Sequence, residues 1–524
     1  MNHLTIESLS DEFSINSIKK EFKNLFESES IDKFRKYNKI LLINPPHTLY
    51  KHDLPRCTYP LGIGYIASVL VQNEYIVKIH DVFAEGYYTE TINKEQPDFI
   101  HYGQTDTEVK KVISDFDPDF VGVSSIFSNQ SDNVHRMLKI AKEVNKEIIT
   151  GIGGAHARYF PKSCLEDPNL DVVFLGESEL VFLQYIESLN GYYPFDDVVS
   201  IAYKKEGKVI VKEGNILIKS KIRTNDGELA ELDQIPFPAW HLYNMERYFE
   251  IKAYQSPYTI GDRVGQIYTT RGCSAKCTFC TTTNFWGNSL RRRSAQNVVD
   301  ELTILKEKYG INEFHVQDDN ITNDMKHAKN IFEGFKTLNL PWATPQGTAL
   351  WRLNEELLEL MAESGLYQIT LAIESGVQRV LNDLIKKPLD LNKTKHLISY
   401  ARKLGISVHG FFIIGMPPMF GNSGETIEEM YQTYNFAKDC EFNSASFFTA
   451  VPIIGSDLLR ESLRQGFIDK STEFYRMSYK QGLINVPGLW GCDQISELAA
   501  KFNSEFNTDV ERSHTIRNWD PSRY

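Results

Sequence analysis

Residues 266–280 read QIYTTRGCSAKCTFC. The first seven form a short strand pattern ending at Arg271-Gly272, and the chain runs at once into Cys273, Cys277 and Cys280, spaced C-x3-C-x2-C. This spacing lets three thiolates point at one centre from a tight loop at a strand end. A structural zinc usually takes four protein ligands. No fourth cysteine lies nearby, and the nearest histidines along the chain are His241 and His315. Three thiolates on a four-iron cluster leave one iron open, and an open iron can chelate a small molecule. A zinc site or three unrelated thiols are the plainer alternatives.

Working downstream, the strand is the first of a βα series. Residues 294–310 have helical spacing, and 312–320 (NEFHVQDDN) read as a second strand. Further strands are expected at 343–350 (ATPQGTAL), 367–376 (YQITLAIESG), 408–418 (VHGFFIIGMPP) and 444–453 (SASFFTAVPI), with helices between them. Six βα units predict a partial, (β/α)6 TIM-type barrel over 259–455, with its chemistry at the strand C-termini. Residues 456–524 read as a helical C-terminal region.

Upstream, apolar strands again alternate with helices: 39–46 (KILLINPP), 76–83 (IVKIHDVF), 118–129 (PDFVGVSSIFSN), 147–154 (EIITGIGG) and 171–179 (DVVFLGESE). Such alternation predicts a doubly wound, mostly parallel α/β sheet over 39–191. Ligands bind such sheets at the carboxyl ends of the strands, where Asp81, Ser124-Ser125, Gly153-Gly154 and Gly176-Glu177 fall. No G-x-G-x-x-G follows the first strand, which excludes a dinucleotide fingerprint. Residues 192–258 are irregular, with polar β-like pieces, and read as a linker. Residues 1–38 read as a polar N-terminal extension.

The 524 residues suggest about three domains at roughly 150 residues each. Lys+Arg 57 against Asp+Glu 69 gives a net charge of −12, a poor balance for binding nucleic acid or an anionic membrane. No run of eighteen apolar residues or leader pattern occurs, so neither partner is expected and the default compartment is the cytosol. Seven cysteines are too few and odd in number for a disulfide scaffold.

The cysteine motif resembles that of radical S-adenosylmethionine (SAM) enzymes, which implies a 4Fe-4S cluster on Cys273, Cys277 and Cys280 as the catalytic centre. SAM would be chelated at the open iron. The resemblance extends to the aromatic Phe279, to Asp318-Asp319-Asn320 for the SAM amino group, and to Glu374-Ser375 for its ribose. The segment Gly410–Gly415, with Ile414, would pack on adenine. One departure is that Pro417-Pro418 follow Gly415, where the family pattern often has Glu. A doubly wound domain ahead of the barrel resembles the cobalamin-binding class, with Asp81, Ser124, Ser125, Gly153, Gly154, Gly176 and Glu177 at the cofactor. The Asp-x-His-x-x-Gly segment of cobalt-ligating proteins is absent. Cobalt is thus left without a histidine from that motif, and Arg56 and Cys57 are candidates to approach its axial face. For Cys57 a buried core position is the favoured reading.

The resemblance implies methylation of an unactivated carbon, with methylcobalamin as methyl donor and an external electron donor. Longer strings, among them residues 52–67, 123–130 and 277–287, resemble the phosphonate-methylating branch of the class. They imply a phosphonate nucleotide substrate, a cytidylyl-2-hydroxyethylphosphonate methylated at its hydroxyl-bearing carbon in fosfomycin biosynthesis. Arg291, Arg293, Gln346 and Trp351 are candidates to meet it, since Arg forks and helix N-termini suit phosphoryl oxygens; Thr348 and Arg352 lie close by. A solvated basic turn, or a contact to SAM or to the cobalamin phosphate, is an equal reading for the arginines, and His409 reads as structural. A phosphinate P-methylase, another C-methylase, a non-methylating member of the class and a non-catalytic sensor are the alternatives, separable by product.

Overall fold

The computed structural model describes residues 35–51, 53–92, 97–214, 231–256, 258–287, 290–469, 472 and 478–507. Most of the expected N-terminal extension, and the end of the C-terminal region, lie outside them. No described helix is long and apolar enough to cross a membrane.

The first sheet contains β1 (Lys39–Asn44), β2 (Ile76–Asp81), β3 (Phe120–Ser124), β4 (Ile149–Gly153), β5 (Val172–Phe174), β6 (Ile201–Lys205) and β7 (Lys208–Lys212). Its order is β7-β6-β5-β4-β3-β1-β2, parallel from β2 to β5 and antiparallel at β6 and β7. The run KILLIN shows why. Ile40 and Leu42 pack into one apolar cluster and Leu41 and Ile43 into another, so this strand is buried on both faces, as parallel sheets require. Helices Leu61–Gln72 and Glu179–Leu189 cover one side, and Ser131–Val144 covers the other.

The stretch 192–258, expected as a linker, is more than that. Residues 201–212 form the β6–β7 hairpin, which closes the sheet edge beside β5. Residues 236–254 pack between the two halves, with Trp240 Nε1 donating to Glu301 Oε1 at 2.9 Å.

The second sheet runs β8 (Val264–Ile267), β9 (Glu313–Val316), β10 (Trp342–Thr348), β11 (Leu366–Glu374), β12 (Ser407–Ile414) and β13 (Ser444–Thr449). All neighbours are parallel and in sequence order, which gives the expected six-stranded open barrel. An open barrel leaves edge strands with unpaired backbone groups. Helix Cys492–Asn507 answers this at β13. Asn507 accepts from Ala445 N–H and donates to its carbonyl, and Asn503 does the same for Phe447. Two side-chain amides thus stand where a seventh strand's backbone would.

Candidate active site

The C-terminal ends of both sheets face one cavity of about 590 Å³. The first sheet contributes Ser124, Gly153, Gly154, Gly176 and Glu177, and the barrel contributes Asp318, Asp319, Asn320, Gln346 and Glu374. Cys273, Cys277, Cys280 and Phe279 lie between them on the same wall, joined by Trp351.

The cysteine loop is pinned along its length. Asp318 takes the N–H and hydroxyl of Thr269 at 2.6 and 2.5 Å and the hydroxyl of Thr270 at 2.8 Å. Burial pushes its carboxyl up to about 6 against those hydrogen bonds. Asp319 takes Gly272 N–H at 3.2 Å and Thr282 Oγ1 at 3.0 Å, and the Cys280 sulfur accepts from Thr282 N at 3.4 Å. Thr278 bonds Leu384 and Ile385, at the end of the π-helical turn Val380–Ile385. These carboxylates therefore brace the loop as well as line the cavity.

Among the described residues no three His, Cys, Asp or Glu side chains converge as ligands of a single ion.

Beside the cysteines sits a buried ion pair that sequence reasoning missed. Lys387 Nζ meets Glu374 Oε1 at 2.7 Å, with side chains 4% and 6% exposed. Its ammonium stands 5.2 Å from the Trp351 ring centroid. Burial lowers the Lys387 pKa, but Glu374 and then Cys277 outweigh it, and the net shift is upward. Only a Lys-Lys-Pro segment marked it in the sequence.

A second network joins the halves. Arg291 forks onto Glu177, Nη1 to Oε2 at 2.6 Å and Nη2 to Oε1. Arg271, two residues before Cys273, reaches Glu177 at 3.3 Å and Glu179 at 2.7 Å. All four side chains are 9% exposed or less. Burial opposes ionisation, yet Arg271 and Arg291 hold the Glu177 carboxyl below its usual range. This corrects three expectations. Arg291 and Arg293 do not line the cavity: Arg291 is bound to Glu177, and Arg293 is bound to Glu301 at 2.6 Å. Glu177 lines it, but its carboxylate is taken by arginines.

Other candidates fall nearby without facing the cavity. Asp81 caps a short helix and accepts from Tyr248 Oη at 2.7 Å. Ser125 is buried, its N–H on Gly153 O. Ser375 bonds Thr433, and Ile414 is in the core. Arg56 donates to Tyr254 O, and Cys57, 2% exposed, is in the core as favoured. His409 is held by Ser444 and Ser446. Thr348 is buried in β10 and Arg352 is exposed; neither lines the cavity.

A carboxylate reaches the backbone after Gly415 from Glu425. Its Oε2 accepts from Gly415 N at 2.8 Å and Met416 N at 3.1 Å, across the intervening loop. Gly154 has φ +122°, and a Cβ there would stand 2.6 Å from the Ser125 carbonyl oxygen. Only glycine permits that approach at this turn.

The B12 binding domain family matches residues 48–186, and the Radical SAM superfamily matches residues 267–437. The chain is 62% identical over 502 residues to the cytidylyl-2-hydroxyethylphosphonate methyltransferase of Streptomyces wedmorensis, covering 94% of each chain. The chain belongs to the cobalamin-dependent radical SAM methyltransferases. An uncharacterised methyltransferase of Pyrococcus horikoshii is 31% identical, covering 81% of this chain and 83% of its own. Among solved structures, the radical SAM methyltransferase TsrM from Kitasatospora setae, with cobalamin and a 4Fe-4S cluster bound, matches with a TM-score of 0.62. Its identity is 16%, over 82% of this chain and 75% of that one. OxsB with aqua-cobalamin and SAM bound also gives 0.62 at 16% identity, over 93% and 70%. At such identity these two establish the fold. The two family matches give this chain cobalamin together with SAM and its 4Fe-4S cluster as cofactors.

Proposed function

We propose that this chain methylates the hydroxyl-bearing carbon of a cytidylyl-2-hydroxyethylphosphonate, the compound named for its 62%-identical relative, as a cytosolic step of fosfomycin biosynthesis. The observation that carries the reading is the single cavity walled by both sets of strand ends and by the three cysteines. An unactivated carbon offers no electron pair to an electrophilic methyl group, so a hydrogen atom must leave first. Bound here, the cluster with SAM supplies the hydrogen-abstracting radical, methylcobalamin supplies the methyl group, and an external donor supplies the electron.

The chain's own residues bind, orient and exclude water. Cys273, Cys277 and Cys280 hold the cluster. Phe279, Asp319, Asn320 and Glu374 face SAM, with Asp318, Ser375 and Ile414 behind them. Ser124, Gly153, Gly154 and Gly176 admit the cobalamin tail, with Asp81 and Ser125 supporting their loops. Glu177 ties that wall to the cysteine loop through Arg271 and Arg291. Trp351 and Gln346 border the substrate space. Enclosure by two domains protects a reactive species from water.

The test is anaerobic turnover of reconstituted enzyme with SAM, methylcobalamin, a reductant and the cytidylyl nucleotide. Methylated product together with 5′-deoxyadenosine and S-adenosylhomocysteine supports the reading. SAM cleavage without methylation of this compound refutes the substrate.

A further inference from the structure

Three amide side chains meet at the barrel mouth. Gln346 Nε2 donates to Gln317 Oε1 at 2.6 Å and to Gln255 Oε1. Both hydrogens of one amide group are then engaged, and both partners present oxygen to it. Gln317 must turn its own nitrogen elsewhere. That nitrogen is buried without a partner, in a residue 7% exposed that lines the cavity. Buried polar groups are rarely left unpaired, and a ligand cavity is where such a group finds its partner.

The neighbouring charges are already engaged. Asp318 and Asp319 brace the cysteine loop. Arg271 and Arg291 bind Glu177, Arg293 binds Glu301, and Lys387 binds Glu374. Gln317, one residue before Asp318 in the cavity wall, carries a neutral N–H donor that neither a protein group nor solvent reaches. A second fully buried donor without a partner on this wall is Asn320 Nδ2, whose carbonyl is fixed by Thr322 and Ala349. A neutral donor matches an uncharged oxygen better than a phosphoryl group, which is best met by cations. Gln317 lines the same cavity as Cys273, Cys277 and Cys280.

We propose that Gln317 Nε2 donates a hydrogen bond to the hydroxyl on the carbon that is methylated. Gln346 and Gln255 are positioning residues that hold the amide in that sense. The inference rests on the substrate reading above. Fixing the hydroxyl oxygen fixes rotation at the reacting carbon, and so decides which of its hydrogens is presented.

The experiment compares the cytidylyl nucleotide with its analogue lacking the hydroxyl. Dissociation constants are measured anaerobically, without reductant, on cofactor-loaded wild type, Gln317→Met and Gln346→Met. Wild type is expected to favour the hydroxylated ligand about 10- to 100-fold. Gln317→Met should abolish that preference with SAM affinity unchanged within about twofold, and Gln346→Met should reduce it. A preference retained in Gln317→Met overturns the inference. So does a loss of SAM affinity, which would give the amide to SAM, or an equal loss for both ligands, which would reduce it to packing. Wild type that neither binds nor methylates the nucleotide overturns the substrate reading as well. Wild type that methylates it, beside variants that keep the preference, overturns this inference alone.

Discussion

Replacing Glu177 with Gln should test whether the buried charge network holds the two halves together. The substitution keeps size and removes charge. Arg291 would lose its carboxylate, and Arg271 would keep only Glu179 at 2.7 Å. Both guanidiniums are 9% exposed or less, so solvent cannot take over. Removing one partner of such a pair costs about 3–5 kcal/mol. Urea unfolding of the apo-protein, followed by circular dichroism, reads this directly. Pairing the change with Arg291→Met should recover more than half of the loss, because a buried pair replaced as a whole is often close to neutral. The pH dependence has a definite sign. The Glu177 carboxyl is held below its unfolded value. Its contribution is thus fully present above an unfolded-state pKa of about 4.3 and is lost as pH falls through the lower folded value. The gap between wild type and Glu177→Gln should be level from pH 8 to about 5 and close below that. A loss under about 1 kcal/mol, the range of exposed pairs, or no coupling with Arg291, would falsify the account.

Cys277→Ala should remove the iron–sulfur absorbance and SAM cleavage while cobalamin still binds, because the two sites are built on separate sheets; loss of both would mean the cluster organises the whole interface. Gly154→Ala should cost about 1–3 kcal/mol of backbone strain and weaken cobalamin binding at least tenfold in spectroscopic titration, and unchanged affinity would remove the tail from this turn. Burial pushes the Glu425 carboxyl up to about 8. A raised folded pKa gives stability that is full below the ordinary carboxylate range and falls as pH rises to about 8. Glu425→Gln should therefore gain up to about 3 kcal/mol at pH 7 and nothing at pH 4.5, read as Tm against pH. Asn507→Leu should lose about 2 kcal/mol or more by unpairing two backbone groups of Ala445, and a neutral result would show that water replaces the amide.

The local features were legible from sequence. Apolar runs such as KILLIN and the cysteine spacing depend on neighbours a few residues away, and six barrel strands follow from them. What depended on distant partners was not. Arg291 looks like a free phosphate-binding cation until Glu177, 114 residues earlier, is found against it. Arg293, just ahead of the helix Ala295–Tyr309, is absorbed by Glu301 in that helix, because both are buried. The residues of the β6–β7 hairpin are polar because they form a sheet edge, and edge strands lack the apolar run that marks central ones. Glu425 escaped because it reaches Gly415 and Met416 from across a loop. Lys387 and Gln317 carry no motif; only burial and an unfilled hydrogen bond single them out.

Every strand of the first sheet, including the hairpin at its edge, precedes the first barrel strand in the chain. That order has a consequence during synthesis. The amino-terminal half can complete its own hydrogen-bonding ladder while the barrel is still emerging from the ribosome, since domains generally fold as units. The carboxylates of Glu177 and Glu179 then wait, solvated, for Arg271 and Arg291 to arrive. The reactive chamber is thus the last feature to come into being, and a nascent chain has no enclosed space in which radical chemistry could begin.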